Sequence, residues 1–209
     1  MVFVRLNPEV AHELVAGAMK FLSAVGFLRA KKSETTKTVM GLEFANLLGM
    51  AAGFDKNGTL IRPLHALGFG HVEIGTVTPV SQPGNPKPRL FRLPKNKSLI
   101  NRMGFNNDGA AAVAARVSSL RLKNQNLPII GVNIGKNKNT SEENAAADYL
   151  EATRLLAPVA DYLVINVSSP NTQGLRDLQR VSALRPVLEA VLTAAGKKPV
   201  LLKIAPDLE

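Results

Sequence analysis

Five short apolar runs, each parted from the next by a stretch that reads as helix, limit this chain to very few folds. Leu47–Ala52, Val72–Ile74, Ile129–Ile134, Tyr162–Ile165 and Val200–Ile204 have the length and composition of buried strands. Thr59–Leu67, Gly109–Leu122, Ser141–Leu156 and Leu175–Ala195 read as helices between them, with a capping box for the third at Thr140-Ser-Glu-Glu143. Strands joined by helical crossovers run parallel, so the class is α/β, either a doubly wound sheet or a (β/α)8 TIM barrel. The polar residues favour the barrel. They recur just past strand ends, at Gly53–Asn57, Gly75–Thr78, Asn133–Asn137, Asn166–Thr172 and Lys203–Asp207. A barrel gathers the C-terminal ends of its strands into one ring, which would carry these segments to one site. A dinucleotide fold would want Gly-x-Gly-x-x-Gly after its first strand, and Ala51-Ala-Gly-Phe-Asp-Lys56 does not supply it.

The absence of cysteine excludes disulfides, thiolate metal sites and cysteine nucleophiles together. Three scattered histidines (His12, His65, His71) have no ligand spacing, so no metal is expected. The net charge of +10 asks for an anionic partner: nucleic acid, lipid or a small ligand. It is concentrated in Ser81–Arg102, where Lys87, Arg89, Arg92, Lys95, Lys97 and Arg102 have no acidic neighbour, and at Arg29, Lys31, Lys32 and Lys37. Two solvated basic faces are the plainer alternative. Aromatic residues make up only 5% of the chain, which argues against a stacking surface for single-stranded nucleic acid. No signal peptide is recognised, and a cytoplasmic setting is the expectation.

A helix should begin at Asn7, with Asn7 as cap, Pro8 in the first turn and Glu9 and Glu13 near its positive end. Val10, Leu14, Val15, Ala18, Leu22 and Val25 form an apolar stripe, widened by Phe21, Phe27 and Leu28. The stripe is shorter than the roughly 20 apolar residues of a membrane-spanning helix. It suits a segment lying on a membrane surface, the alternative being a helix packed on its own domain. With Ser33–Thr38 as linker, residues 1–38 form a membrane-associating helical segment and 39–209 a portion of the barrel.

Several segments carry chemistry. Ala52-Gly-Phe-Asp-Lys56 couples a tight turn to a lysine that could sit near an electron-rich cofactor or an anion, or simply pair with Asp55 on the surface. Asn101-Arg-Met-Gly-Phe-Asn-Asn107 offers amides that both donate and accept, as a heterocycle's edge requires, though Asn107 or Asp108 could instead cap a helix. Asn133 lies inside an apolar strand and needs hydrogen-bond partners. Lys203 lies in an apolar run where an unpaired ammonium would be costly, which suggests an inward-facing lysine held by a cofactor. Asn166-Val-Ser-Ser-Pro-Asn-Thr172 is poor packing material and well suited to gripping a small polar ring. Ser169 is its candidate base.

Together Ala-Gly-Phe-Asp-Lys, Glu-Ile-Gly-Thr-Val-Thr-Pro, Asn-Arg-Met-Gly-Phe-Asn-Asn, Gly-Val-Asn-Ile-Gly-Lys-Asn, Asn-Val-Ser-Ser-Pro-Asn-Thr and Leu-Lys-Ile-Ala-Pro-Asp resemble the dihydroorotate dehydrogenase family in order and over nearly the whole chain. The resemblance implies an FMN-binding (β/α)8 barrel that oxidises dihydroorotate to orotate in pyrimidine synthesis. Ala52, Gly53, Phe54, Asp55, Lys56, Thr76, Asn133, Asn166 and Lys203 would line FMN. Lys56, Asn101, Arg102, Met103, Gly104, Phe105, Asn166 and Asn171 would hold the pyrimidine. Ser169 would remove the C5 proton, with Thr172 and Phe105 shaping its exit path. Soluble relatives use cysteine at the base position; serine there, with the N-terminal helix, points to the quinone-dependent class, peripheral on the cytoplasmic side of the cell membrane.

A complete barrel usually takes about 250 residues. The resemblance places a further Asn/Thr pair and the glycine-rich turns for the FMN phosphate in later strands, so a fragment of a longer protein is expected. The alternatives are an inactive FMN- or membrane-binding piece, and a different FMN barrel that reduces tRNA uridine, which would need a cysteine.

Overall fold

The computed structural model describes residues 6–29, 36–124 and 126–207. Its centre is a five-stranded parallel sheet in the order β3 (Gly49–Met50), β4 (His71–Val77), β7 (Ile129–Ile134), β8 (Tyr162–Asn166) and β9 (Val200–Lys203). Strand order follows chain order without reversal. α2 (Ile61–Ala66), α3 (Ala110–Lys123), α4 (Ala145–Leu156) and α5 (Val181–Ala195) lie in the successive crossovers. Every residue of β8 is buried, as expected for a parallel strand covered on both faces. Ile74, Ile130, Ile134, Leu163 and Ile165 from the strands meet Leu64, Val113, Tyr149, Leu156 and Val191 from the helices in one core.

Two antiparallel ribbons flank the sheet, and neither is anticipated by the apolar pattern. β1 (Lys37–Val39) and β2 (Leu42–Phe44) turn through Met40 and Gly41, both at positive φ as a tight hairpin requires. β1 therefore takes up the last two residues of the expected Ser33–Thr38 linker, whose residues 33–35 lie outside the described residues. β5 (Leu90–Leu93) and β6 (Ser98–Asn101) form the second ribbon inside the basic stretch.

Element boundaries depart from the sequence expectations for local reasons. β3 is two residues long because Asn46 takes the Leu48 amide on Oδ1 and donates from Nδ2 to Gly68, leaving Leu47 and Leu48 exposed. The capping box at Thr140–Glu143 does not form; α4 starts later because the buried Lys136 ammonium draws the Thr140 carbonyl to 2.8 Å. The stretch from Leu175 breaks at Arg180, whose extended backbone separates a 3-10 turn (Arg176–Gln179) from α5.

Helix α1 (Pro8–Ala24) starts as expected, with Asn7 Oδ1 accepting from Glu9 N–H at 2.9 Å. It rests on the protein through Ala11, Ala16, Met19 and Ser23. The large ones of the stripe face outward: Leu14 is 53% exposed, Phe21 66%, Val25 61% and Phe27 77%. A helix packed by its apolar stripe would show the reverse. Among the described residues no helix is long and apolar enough to cross a membrane.

Candidate functional site

Strand ends bring the polar segments together. A cavity of about 360 Å³ is lined by Ala52, Gly53 and Lys56 after β3, Thr76 on β4, Asn166, Ser169 and Asn171 at and after β8, and Lys203 on β9. Asn101, Met103, Gly104 and Phe105 close it from the loop after β6. A larger cavity, about 690 Å³, lies between α1 and the β5–β6 ribbon. Gly53, Lys56, Asn101 and Met103 line both, so the two cavities share a wall.

The floor of the smaller cavity is a closed hydrogen-bond network. β4 bulges at Gly75–Thr76, and Gly75 has φ +109° with no room for a Cβ, which would stand 2.5 Å from the Asn133 carbonyl. The bulge turns the Thr76 hydroxyl toward Asn133 Oδ1, to which it donates at 2.6 Å. Asn166 Nδ2 donates to Thr76 Oγ1 at 2.9 Å and to Asn133 Oδ1 at 3.2 Å. Asn133 Nδ2 donates in turn to Glu73 Oε1 at 2.8 Å. With its amide nitrogen so engaged, Asn166 presents Oδ1 to the Ser168 amide and hydroxyl, at 3.0 and 2.9 Å. That bond fixes the start of the loop bearing Ser169, whose Oγ accepts from Asn171 N–H at 3.3 Å. Asn133 is fully buried, and its hydrogen bonds hold the Thr76 and Asn166 side chains.

Lys56 is the most perturbed cation of the site. Burial, and then the nearby Arg89 guanidinium, lower its pKa to about 8, against an opposing pull from Glu9. It makes no ion pair among the described residues. Asp55 is not its partner: the Asp55 carboxylate accepts from the Thr59 and Leu60 amides at 2.9 and 2.7 Å, and burial raises its pKa. Asp55 and Phe54 border the larger cavity rather than the smaller.

Lys203 lines the smaller cavity from the end of β9, as expected of an inward-facing lysine, and is exposed in these 209 residues. Asn107 does not cap α3; its Oδ1 accepts from Thr78 and Gly109 amides and ties β4 to the loop. Thr172 is 3% exposed and its hydroxyl has no partner among the described residues. Much of the basic stretch is consumed internally as well. Arg89 pairs with Glu9 at 2.8 Å, Arg92 donates to the Leu6 carbonyl, and Arg102 holds Pro88 and stacks over Phe91.

Sequence reasoning missed Glu73, Gln82, Asn85 and Asn137, which brace the site loops. Asn137 Nδ2 reaches Thr78 Oγ1, Val80 O and Gln82 Oε1 at 2.8 to 3.1 Å. Its position in Gly-Lys-Asn, just past a strand end, was the available signal.

A family model described as Dihydroorotate dehydrogenase matches residues 34–209. The chain belongs to the dihydroorotate dehydrogenase family. The dihydroorotate dehydrogenase (quinone) of Clavibacter michiganensis is 51% identical over 214 residues, covering 100% of this chain and 62% of that protein. The corresponding protein of a Nocardioides species is 53% identical over 220 residues, covering 99% and 62%. A dihydroorotate dehydrogenase from Eimeria tenella, crystallised with ferulenol, superposes with a TM-score of 0.87 at 38% identity, covering 100% of this chain and 64% of that one. The chain thus spans about 62% of the length of these curated relatives. Membership in this dehydrogenase family sets aside the tRNA-reducing alternative.

Proposed function

We propose that this chain provides the Ser169 side of a (β/α)8 barrel that oxidises (S)-dihydroorotate to orotate in pyrimidine biosynthesis, in the quinone-dependent manner. The observation that carries this is convergence: Lys56, Asn101, Asn166, Ser169, Asn171 and Lys203 line one cavity although they span nearly 150 positions of sequence. Strand order without reversal supports a barrel over a doubly wound sheet, which needs a switch point.

FMN fits the residues present. Gly53 stands at φ +109° with nothing within 4 Å of where a Cβ would be, an open face for a flat ring. Ala52, Thr76, Asn166, Lys56 and Lys203 surround that face with apolar contact, hydroxyl, amide and positive charge. When bound, FMN supplies the two-electron acceptor for the hydride leaving C6 and passes those electrons to a quinone. Asn101 and Asn171 present the amides that match the pyrimidine's carbonyl and N–H edges, with Asn166, its own amide engaged by Thr76, Asn133 and Ser168, forming the wall together with Arg102, Met103, Gly104 and Phe105. Ser169 Oγ takes the C5 proton as its own hydroxyl proton passes to solvent water in the cavity. Phe105 and the unpartnered Thr172 hydroxyl border its way out. Lys56 and Lys203 stabilise the negative charge that develops as the proton leaves.

The larger cavity suits the quinone. It runs along α1 and shares the Lys56 wall with the substrate side. α1 presents Leu14 and Phe21 outward beside Lys20, and the segment after it presents Phe27 beside Arg29, as an amphipathic segment on an anionic bilayer surface would. On this reading α1 is the membrane attachment, peripheral on the cytoplasmic side, and the expected boundary between residues 38 and 39 falls inside β1 (Lys37–Val39). Mixing the full-length yellow protein with dihydroorotate without oxygen is expected to bleach the flavin band within seconds; unchanged absorbance refutes the activity. In flotation with phosphatidylglycerol-containing vesicles, Phe21→Glu together with Phe27→Glu is expected to leave the protein at the bottom of the gradient. Flotation equal to wild type removes α1 as the attachment.

A further inference from the structure

Helix α1 is tied to the Ser169 loop by a continuous path of buried and half-buried polar groups. Glu9, on the first turn of α1, accepts from Arg89 Nε and Nη2 on one carboxylate oxygen, at 3.1 and 2.8 Å. The Arg89 side chain is 7% exposed and that of Glu9 12%, so this pair is shielded from solvent. Arg89 Nη1 donates to the carbonyls of Pro83 and Asn85, at 2.6 and 3.0 Å, and fixes the loop between them. Asn85 Nδ2 then donates to the Arg102 carbonyl at 3.0 Å and to the Asn171 carbonyl at 3.1 Å, while Lys138 holds its Oδ1 at 3.0 Å. Asn171 N–H closes the path on Ser169 Oγ. Two glycines leave it room. A Cβ on Gly84 would stand 2.8 Å from Arg89 Nη1, and one on Gly104 would stand 2.7 Å from Asn85 Nδ2, and both have positive φ.

We infer that Glu9 and Asn85 are positioning residues for the Ser169–Asn171 loop, so that the seating of α1 governs how well the substrate side of the site is formed. Neither residue touches the proposed reacting atoms of the pyrimidine. The path joins the cavity assigned to the quinone to the loop assigned to proton abstraction, and the functional consequence rests on Ser169 being the base. The physical linkage does not. Removing Glu9's charge leaves a buried guanidinium without its counter-ion, and the loop it holds can shift. Arg89 also bears on Lys56, whose positive charge it disfavours and Glu9 favours.

The test uses the full-length FMN-loaded protein with Glu9→Gln, Asn85→Ala and the double variant. Amide hydrogen exchange of residues 168–172 is expected to quicken about tenfold in each single variant, the scale of one lost hydrogen bond of this kind. Because both variants break one path, the double variant should exchange no faster than the faster single, and the dissociation constant for orotate, followed by the flavin absorbance shift, should show the same non-additivity. Wild-type exchange in Asn85→Ala, or multiplying effects in the double variant, overturns the linkage. Asn85 is only half-buried, so it carries the test even where Glu9→Gln fails to fold. If exchange responds but Ser169→Ala reduces flavin normally, the linkage stands and the assignment of the base falls.

Discussion

Ser169→Ala in the full-length protein is expected to retain FMN and to slow anaerobic flavin reduction by dihydroorotate about 10²–10⁴-fold, the usual worth of a positioned base. Loss of one hydroxyl should leave the loop in place, because its anchors are elsewhere. Ser168 is held by Asn166 through two bonds, and Arg176 Nε donates to the Ser168 carbonyl at 3.1 Å. Among the described residues one hydrogen bond, from Asn171 N–H, ends on Ser169 Oγ itself. The orotate dissociation constant should therefore change by no more than a few-fold, while the reduction step collapses. A reduction rate within threefold of wild type would remove Ser169 from the chemistry and leave the loop as a binding element alone. Reoxidation of the reduced variant by menadione should be unaffected, because that half-reaction moves no C5 proton.

How far the sequence already disclosed the site depends on the range of the forces that build each part. Ser169, Asn166 and Asn133 were legible because a polar residue in or just past an apolar strand is locally anomalous, whatever surrounds it. The order of strands was legible from periodicity, and so was α1 from its cap and first-turn proline. Glu9, Arg89 and Asn85 were not, since each is unremarkable among its neighbours. Glu9 and Arg89 meet across 80 positions, and Asn85 meets Asn171 across 86. The Asp55 carboxylate shows a related effect. Its motif suggested a cofactor contact, yet two main-chain amides nearby, on Thr59 and Leu60, needed an acceptor and took it. The stripe on α1 was recognised, with an outward, membrane-facing direction as the reading and packing on the domain as the alternative. Periodicity identifies a face, whereas Ala11, Ala16 and Met19 decide which face rests on the protein.

Lys56→Met is expected to lower kcat/KM for dihydroorotate by about 10²-fold, the scale of losing one preorganised charge at a reacting centre. In the native protein the same lysine should set an alkaline limit. Its pKa is lowered to about 8, first by burial and then by Arg89, with Glu9 acting in the opposite sense. A group that must be cationic to hold an anion loses that form as pH rises through its pKa. kcat/KM, which reports the free protein, should then fall tenfold per unit above about pH 8, and the limb should vanish in Lys56→Met. Stability should move the other way over the same range. The folded pKa lies below the ordinary lysine value of 10.5, so between about 8 and 10.5 the unfolded chain binds more protons than the native one. Unfolding free energy contributed by this group therefore rises with pH across that window and is constant below it. Urea midpoints of wild type and Lys56→Met at pH 7.5 and pH 10 isolate the contribution from other titrating groups: the advantage of methionine should shrink toward the higher pH. If kcat/KM holds level to pH 9.5, or if the two midpoints keep a constant spacing, Lys56 is not the buried cation that joins the two cavities.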